Sequence, residues 1–404
     1  MRDSFEAHSK NRFGQPLERS RMSTTTNPRS VFLFRPTLSE GGADRVTITL
    51  LRHLNRQWFR PTLVLVKRDG TLIDDIPDDV RVIDLGVSRL RFSWLELATV
   101  LRREKPDILL STSSGGNIIA SLAHAAASDP KPRLILSERS TFSAVRRERR
   151  PTWLPVATIT RQLYKRAHRI IAVSEGVAMD LREALRLPAD LVTAIYNPLV
   201  DEELHRQADE PVDHPWFAES TPILLAVGRL VVQKDYPSLL HAFRQLRSTR
   251  PVRLIILGEG AMRKDLEALA SGLEIRSDVD FLGFVKNPFP FMKRCTVYVL
   301  CSRIEGLPGA LIQAMACGAP VVSTDCPHGP AEIIDQGTSG FLVPVGDPSR
   351  LAAAVSRVLD DPGLRGRFSE TGRIVAGRFQ VSSMMRLYEE ALLGSLLTES
   401  QEQR

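Results

Sequence analysis

The sequence of 404 residues lacks the features that mark membrane-spanning and secreted proteins. Its longest apolar run, near residues 118–127, falls well short of the ~18 residues that suggest a membrane-spanning helix. The first residues are polar and basic, and they contain no apolar core of the kind that a secretory signal needs. We therefore expect residues 1–29 to form a disordered basic tail, in which Met22 could be the true start, and we expect a cytoplasmic protein.

Cysteine is scarce, and potential metal ligands are inconspicuous. The spacings of the cysteines match no zinc or redox motif, so we interpret them as small apolar side chains in a reducing cytoplasm. Asp278-Val279-Asp280 resembles a metal-binding pair of acids, but alternate acids at the start of a strand commonly end in solvent. We predict no bound metal and no other cofactor. The four cysteines all lie in the second half of the chain: Cys295, Cys301, Cys317 and Cys326.

Aromatic residues make up only 6% of the chain, while positive charge is concentrated in one stretch. The formal net charge is +7, yet residues 131–169 alone hold eleven Lys or Arg and two acids, including the Arg-rich block Arg146–Arg150. Such a stretch suits acidic lipid headgroups, a lipid phosphate or nucleic acid, and a solvated basic surface is an equally good interpretation. A nucleic-acid-binding module would usually interleave more aromatic residues, so we expect no nucleic acid.

Apolar strand-like runs alternate with helical patterns along most of the chain. Nearly continuous apolar strands in this alternation predict an α/β protein with doubly wound parallel sheets. The composition shifts to acids, His and Pro at residues 201–219, after which the alternation restarts. We therefore predict a first domain at 30–200, a linker at 201–219, a second domain at 220–378, and a C-terminal helix at 379–404 that packs back toward the first domain.

The most informative stretch runs from Cys301 to Val322. An apolar strand ends near Leu300, a loop rich in Gly and Pro carries the carboxylate of Glu305, and a helix starts near Gly309. A helix N-terminus offers unpaired N–H groups and a positive dipole end, and glycines let a ligand approach the backbone. This layout predicts a phosphate-binding turn, although an ordinary βαβ unit would have the same outline.

Two further turns of the second domain should lie at the same sheet edge. Arg229 follows the first strand, and Lys234 comes five residues later. A flat guanidinium fork and a compact ammonium at this spacing could hold one diphosphate without a metal. Gly258-Glu259-Gly260 follows the next strand and would allow close backbone approach.

The first domain carries a weaker candidate for a ligand site. Gly41 and Gly42 separate the first strand from the first helix, which is the usual position of a backbone-lined anion site. Asn117, Arg139 and Ser174 lie near predicted strand ends of the same domain.

Together these segments resemble the retaining glycosyltransferases of family 4, which have the two-domain GT-B fold with Rossmann-like halves. The resemblance spans about residues 31–388, strongly in the second half and thinly in the first. It rests on five segments: Gly41 to Val46, Val227 to Leu230 with Lys234-Asp235, Leu257 to Gly260, Phe281 to Phe284, and Ser302 to Glu332.

The resemblance implies transfer of a sugar from a nucleotide diphosphate donor with retention at the anomeric carbon and no required metal. Arg229 and Lys234 would bind the diphosphate and Glu305 would meet the donor sugar. Further donor-site residues would be Gly228, Gly258, Gly260, Phe284, Val285, Gly306, Leu307, Pro308, Gly309, Ala310 and Gln313. On the acceptor side, Gly41 and Gly42 would lie near the diphosphate and the acceptor. Because the first domain would hold the acceptor, Asn117, Arg139 and Ser174 are candidates for the wall of the acceptor pocket.

One position departs from the family pattern, because residue 313 is Gln where the family has a second Glu. A Gln can still accept and donate a hydrogen bond but carries no charge, so we expect altered nucleotide affinity. The alternatives are a non-catalytic nucleotide-sugar-binding partner subunit and another GT-B enzyme, such as a sugar-nucleotide epimerase.

The expected activity is that of a hexosyl- or N-acetylhexosaminyltransferase in the synthesis of cell-surface polysaccharide or glycolipid. We favour a UDP-sugar donor, with a GDP-sugar as the alternative, and a lipid-linked or saccharide acceptor. Because the first domain carries the basic block, we also expect peripheral binding to an anionic membrane surface at the inner face of the cytoplasmic membrane.

Overall fold

The computed structural model describes residues 27–39, 41–144 and 154–394, with the side chains of residues 154–156 left aside. Most of the expected tail and the Arg-rich block therefore lie outside the described residues. The first strand begins at Arg29, within the stretch predicted to be tail.

The first half of the chain folds into one sheet whose paired strands are all parallel. Its strands are β1 (Arg29–Arg35), β2 (Phe59–Leu65), β3 (Arg81–Asp84), β4 (Ile108–Ser111), β5 (Arg133–Glu138), β6 (Arg169–Ala172) and β7 (Val192–Ala194). The sheet order is β3-β2-β1-β4-β5-β6-β7. The intervening helices are α1 (Gly42–His53), α2 (Trp94–Glu104), α3 (Ser114–Ala126), α4 (Leu154–Tyr164) and α5 (Glu175–Leu185).

The apolar strands of this sheet are buried on both faces. In β1, Val31 and Leu33 join the core that includes residues of α1, whereas Phe32 and Phe34 join the core that includes residues of α2, α3 and α5. Successive strand side chains point to opposite faces, so a continuous apolar run requires helices on both. This explains why the strands could be predicted from unbroken apolar runs.

The second half contains another parallel sheet. After the linker helix α6 (Glu202–Ala208) come the strands β8 (Ile223–Val227), β9 (Arg253–Leu257), β10 (Val279–Gly283), β11 (Val297–Leu300), β12 (Val321–Thr324) and β13 (Phe341–Val343). The sheet order is β10-β9-β8-β11-β12-β13. Its helices are α7 (Tyr236–Arg247), α8 (Arg263–Gly272), α9 (Phe289–Arg294), α10 (Gly309–Ala316), α11 (Pro330–Ile333), α12 (Pro348–Asp360) and α13 (Pro362–Ala376). Two doubly wound α/β domains confirm the predicted fold class.

Residues 201–219, expected to be an irregular linker, are partly helical and packed on the second domain. The Asp201 carboxylate caps α6 by accepting from the Leu204 N–H at 2.8 Å. His214 Nε2 lies 3.1 Å from Asp280 Oδ2, and its ring packs edge-on against Trp216. Asp201 therefore caps a helix, and His214 packs this segment onto the second domain.

The last helix, α14 (Val381–Leu393), lies against the first domain. Glu389 Oε1 accepts from the main-chain N–H of Asn55 at 2.8 Å, and the Tyr388 ring is fully buried in the core that contains α1. The main-chain N–H of Val381 donates to the Val200 carbonyl at 2.8 Å. Two segments thus cross between the domains side by side.

Candidate active site

The carboxyl ends of the two sheets meet at the contact between the domains. Thr141 follows β5 and Glu305 follows β11, and the Thr141 hydroxyl donates to the Glu305 carbonyl at 3.0 Å. Near the other end of the contact, Arg45 Nη2 of α1 donates to the Lys286 carbonyl at 2.9 Å. In open α/β sheets ligands bind outside the carboxyl ends of the strands, so a ligand site is expected at this contact between the domains.

The centre of this region is an ion pair between two predicted site residues. Lys234 Nζ lies 2.5 Å from Glu305 Oε1, and the Ser302 hydroxyl donates to the same oxygen at 2.6 Å. The Lys234 side chain is 22% exposed and that of Glu305 10%. The turn after β8 and the loop after β11 are thus joined by charge, at a spot that keeps some access to solvent.

Main-chain and thiol bonds hold the same two loops together. The Arg303 N–H donates to the Gln233 carbonyl at 2.8 Å, and Cys301 Sγ lies 3.0 Å from the Lys234 carbonyl. The position of Lys234 opposite Glu305 is therefore fixed by the backbone and does not depend on the ion pair alone.

The loop after Glu305 leads into α10, as the sequence predicts. Gly306, Leu307 and Pro308 are buried, and α10 starts at Gly309, followed by the half-buried Ala310. Gln313 lies one turn into the helix and is also half-buried. The positive end of the helix dipole is thus directed at the loop that carries Glu305.

The glycines of the neighbouring turns have a packing role that the sequence did not indicate. A Cβ on Gly258 would lie 2.0 Å from the Gly228 carbonyl oxygen, and one on Gly260 would lie 2.3 Å from the Leu230 carbonyl oxygen. The Leu230 N–H also donates to the Glu259 carbonyl at 2.8 Å. These glycines therefore let the turns after β8 and β9 pack against each other, and close approach of a ligand to their backbone stays a prediction.

Arg229 and the Phe284–Val285 segment lie beside these turns. Arg229 is exposed, and within the described residues its side chain forms no ion pair. The Arg45 guanidinium carbon lies 5.9 Å from the Phe284 ring centroid. Because Arg45 belongs to the first domain, the segment expected to meet the base also touches that domain.

The glycine turn of the first domain is backed by a buried ion pair. Gly41 precedes α1 and Gly42 begins it; the Gly41 N–H donates to Asp44 Oδ2 at 3.3 Å. Asp44 is paired with Arg35, whose Nη1 also donates to the Thr112 carbonyl at 2.8 Å. Burial lowers the pKa of Arg35 to about 10 and raises the pKa of Asp44 despite their attraction.

Two residues expected in the acceptor-pocket wall point elsewhere. Asn117 is fully buried, and its amide donates to the Ser137 carbonyl at 3.0 Å, so it has no surface to offer a ligand in this conformation. Arg139 Nη1 donates to Asn197 Oδ1 at 3.1 Å, toward the crossing segments, while its Nε and Nη2 are buried without a hydrogen-bond partner among the described residues. A residue that follows a strand can be placed at the correct edge of the sheet from the sequence, but the direction of its side chain cannot be predicted in this way.

Sequence reasoning missed Glu138, the buried acid at the end of β5. Its Oε2 accepts from the Tyr164 hydroxyl at 2.8 Å, and its other oxygen accepts from Ser114 and from the Arg139 N–H. Burial, together with the Glu138 charge, raises the pKa of Tyr164 well above its usual value. The only signal in the sequence was an acid at the end of an apolar strand, and the basic residues around it obscured that signal.

The acids at Asp278 and Asp280 lie at the start of β10, the end opposite the interdomain contact. Asp278 pairs with Arg247 at 2.8 Å and with Arg253 at 2.5 Å. The expectation that both acids end in solvent is therefore wrong for Asp278, which is buried in ion pairs, whereas Asp280 is partly exposed beside His214. Across the residues that the structure describes, no three His, Cys, Asp or Glu side chains group closely enough to hold a metal.

All four cysteines are buried as free thiols. Burial raises the pKa of Cys326 to about 12, and the nearby Glu305 carboxylate acts in the same direction. Burial likewise raises the pKa of Cys317 to about 12. The thiols are thus protonated at neutral pH and behave as the small apolar side chains that the sequence suggested.

The two halves of the chain match two family models. Residues 212–375 match the model described as glycosyl transferases group 1, and residues 40–203 match the model described as glycosyltransferase family 4. Together the two models cover both domains and the candidate site.

Two relatives match over almost their whole length. One is an N-acetylgalactosamine-N,N'-diacetylbacillosaminyl-diphospho-undecaprenol 4-alpha-N-acetylgalactosaminyltransferase of Campylobacter jejuni; it is 27% identical over 90% of this chain and 99% of its own. Another, the lipopolysaccharide core biosynthesis glycosyltransferase LpsE of Rhizobium meliloti, is 25% identical over 87% of this chain and 96% of its own.

Solved structures share the fold. HepE of Anabaena, crystallised in complex with UDP, superposes with a TM-score of 0.75 and 21% identity over 90% of this chain and 99% of its own. At this identity the likeness shows the two-domain architecture alone.

Proposed function

This chain is a family-4 glycosyltransferase of the GT-B fold, and from that premise we propose that it is a retaining enzyme. It would move a hexose or N-acetylhexosamine from a nucleotide diphosphate donor to a lipid-linked or saccharide acceptor. The product would belong to a cell-surface polysaccharide or glycolipid. The family recognised from the sequence motifs is confirmed, as is glycosyltransferase activity as the class of reaction.

The observation that supports the proposal most strongly is the pair of Lys234 and Glu305 at the junction of two loops. Opposite charges at 2.5 Å, partly open to solvent, suit a ligand that carries both an anionic group and sugar hydroxyls. Lys234 with the exposed Arg229 would neutralise the diphosphate, and Glu305 would accept a hydrogen bond from a sugar hydroxyl. The N-terminus of α10 would add partial positive charge, so the proposal requires no metal.

The surroundings of Glu305 favour transfer on the front face of the sugar. In the described residues Glu305 is hydrogen-bonded to a lysine and a serine, whereas a retaining hydrolase needs a carboxylate nucleophile beside a second carboxylic acid. The bond from the anomeric carbon to the diphosphate would break while the acceptor oxygen bonds on the same face. The departing phosphate oxygen would take the acceptor proton, and the protein would supply orientation and charge stabilisation.

The donor base can be identified by thermal denaturation in the presence of UDP, GDP, ADP or TDP. UDP is the expected ligand, because we favour a UDP-sugar as the donor. A nucleotide at 100 times its Kd adds about 2.7 kcal/mol to the free energy of unfolding, which corresponds to a Tm increase of several degrees. A shift with GDP instead would identify a GDP-sugar donor. No shift with any of the four would contradict the proposed donor site.

The lipid-linked acceptor is supported by the Campylobacter jejuni relative, whose name specifies a diphospho-undecaprenol acceptor. Membrane contact would then be peripheral, on the cytoplasmic side. In the part of the chain that the structure describes, no helix has both the length and the apolar character to cross a bilayer. We assign the contact to the Arg-rich block Arg146–Arg150, on the charge of its sequence alone.

Binding to vesicles tests that assignment. We expect cosedimentation with anionic but not neutral vesicles, and a loss of about tenfold or more in Arg146→Glu/Arg147→Glu, since each basic residue near an anionic surface contributes about 1 kcal/mol. The matched control is Lys264→Glu/Arg350→Glu, which reverses two exposed charges of the second domain. Equal loss in both variants, or binding that does not respond to salt, would contradict the assignment.

The second candidate function, a non-catalytic partner subunit, is favoured by one observation, the uncharged Gln313. Such a subunit would bind the nucleotide but would not turn over the donor. The isolated chain distinguishes the two, because turnover of any nucleotide-sugar eliminates the partner subunit.

A further inference from the structure

Two hydroxyl groups of the first domain hold the main chain of the loop that carries Glu305. The Thr141 hydroxyl donates to the carbonyl of Glu305 itself at 3.0 Å, and the Ser174 hydroxyl donates to the carbonyl of Gly306 at 2.8 Å. Thr141 and Ser174 are fully buried. Because these bonds join the two domains, they form only when the domains are in contact. Glu305 is thus held from both sides, by Lys234 and Ser302 through its carboxylate and by the first domain through its main chain.

A carboxylate of the second domain also binds the N-terminus of α5 in the first. Glu332 Oε2 accepts from the Glu175 N–H at 2.9 Å, and Oε1 accepts from the Gly176 N–H at 2.8 Å. The Tyr196 hydroxyl donates to the same carboxylate at 3.2 Å. The first N–H groups of a helix have no intrahelical partner and carry positive partial charge, so a carboxylate there is favourable. Burial, with the Glu332 charge, raises the pKa of Tyr196 to about 12, which keeps the phenol a donor.

The surfaces that meet here leave no room for side chains at two glycines. A Cβ on Gly306 would lie 2.2 Å from the Arg139 carbonyl oxygen, and one on Gly176 would lie 2.3 Å from His328 Nδ1. The loop after Glu305 is therefore enclosed between the strand ends of the first domain and the turn that leads to Glu332. At Gly306 the main chains of the two domains meet directly, and at Gly176 the main chain of the first domain meets the His328 side chain of the second.

We propose that Thr141, Ser174 and Glu332, here called the interdomain clasp, are positioning residues that couple closure of the domains to the placement of Glu305. The two cations expected at the diphosphate, Lys234 and Arg229, belong to the second domain, so their contact with the diphosphate does not require the clasp. Alignment of Glu305 with the donor sugar does require it. This inference rests on the proposed function, in which Glu305 addresses the sugar.

The first test removes one hydroxyl without changing the shape of the side chain. Thr141→Val is expected to lower kcat about five- to tenfold, the effect of one hydrogen bond, while the Kd for the nucleotide diphosphate stays the same. Thr141→Ser keeps the hydroxyl, so its kcat is expected to equal that of the unmodified protein. Thr99→Val is the matched control, because the Thr99 hydroxyl bonds only within its own helix, α2.

The second test acts on the carboxylate of the clasp. Glu332→Gln keeps one acceptor oxygen but turns an NH2 group toward a main-chain N–H, so we expect kcat to fall about 10- to 100-fold with an unchanged nucleotide Kd. A fall in nucleotide affinity that parallels the loss of kcat would show general disruption and would overturn the proposal. An unchanged kcat in both Thr141→Val and Glu332→Gln would overturn it as well.

Small-angle scattering gives a readout that does not depend on activity. The double variant Thr141→Val/Glu332→Gln is expected to have a larger radius of gyration than the unmodified protein, because the closed arrangement loses its links. If the unmodified protein transfers no sugar, the proposed function fails, and scattering alone then decides whether the clasp closes the domains. An unchanged radius of gyration would overturn the clasp even in an active enzyme.

Discussion

Lys234→Ala is expected to weaken binding of the nucleotide diphosphate about 10- to 150-fold, or about 1.5–3 kcal/mol, the scale of a charge-assisted hydrogen bond. The ammonium group lies at the loop junction, 2.5 Å from Glu305 and 22% exposed, where it could reach an anionic ligand. Its removal also leaves the Glu305 carboxylate without its cation, which adds repulsion toward the diphosphate. Isothermal titration calorimetry with the nucleotide identified by thermal denaturation measures the effect.

The control for this change is Lys264→Ala, which removes an exposed lysine from α8 of the same domain. It is expected to bind the nucleotide as the unmodified protein does. Lys234→Arg should retain part of the affinity, because it keeps the charge but not the compact shape. Unchanged affinity in Lys234→Ala would remove Lys234 from the diphosphate site.

Glu305→Gln is expected to lower kcat about 100- to 1000-fold, the range seen when a group that stabilises a transition state is removed. Nucleotide diphosphate affinity should stay the same or increase, because Lys234 loses a competing anion. Steady-state kinetics and calorimetry on the same preparation separate the two quantities.

Glu370→Gln, at an exposed position on α13, is the matched control for the loss of one carboxylate. It should leave both kcat and nucleotide affinity unchanged. Parallel loss of turnover and nucleotide binding in Glu305→Gln would place Glu305 at the diphosphate and not at the sugar.

The second domain could be predicted well because its signals are local. The turn with Lys234 and the loop with Glu305 each follow an apolar strand directly, and parallel strands bring such loops to one edge. Neighbouring carboxyl ends therefore implied that Lys234 and Glu305 would lie close together. The glycine turns were identified for the same reason, although the close packing of Gly258 and Gly260 on the adjacent turn required the structure.

The links between the domains could not be predicted, because their partners lie far apart in the chain. Glu332 follows a short turn, and nothing near it in sequence indicates that its carboxylate caps α5. The contacts of Asn117 and Arg139 within the protein could not be predicted for a related reason: a strand end determines where a residue lies but not which way its side chain points. Helix α6 was missed because its acids and histidines resembled a linker.

The most direct test of the proposed function is a transfer assay with the purified chain. A panel of UDP- and GDP-linked hexoses and N-acetylhexosamines would be tested as donors, with a diphospho-undecaprenol-linked sugar as acceptor. Mass spectrometry would detect the products. We predict one extended product that carries one added sugar, joined with the anomeric configuration of the donor. Nucleotide binding without transfer or release of any sugar would contradict the account and would establish the chain as a non-catalytic binding subunit.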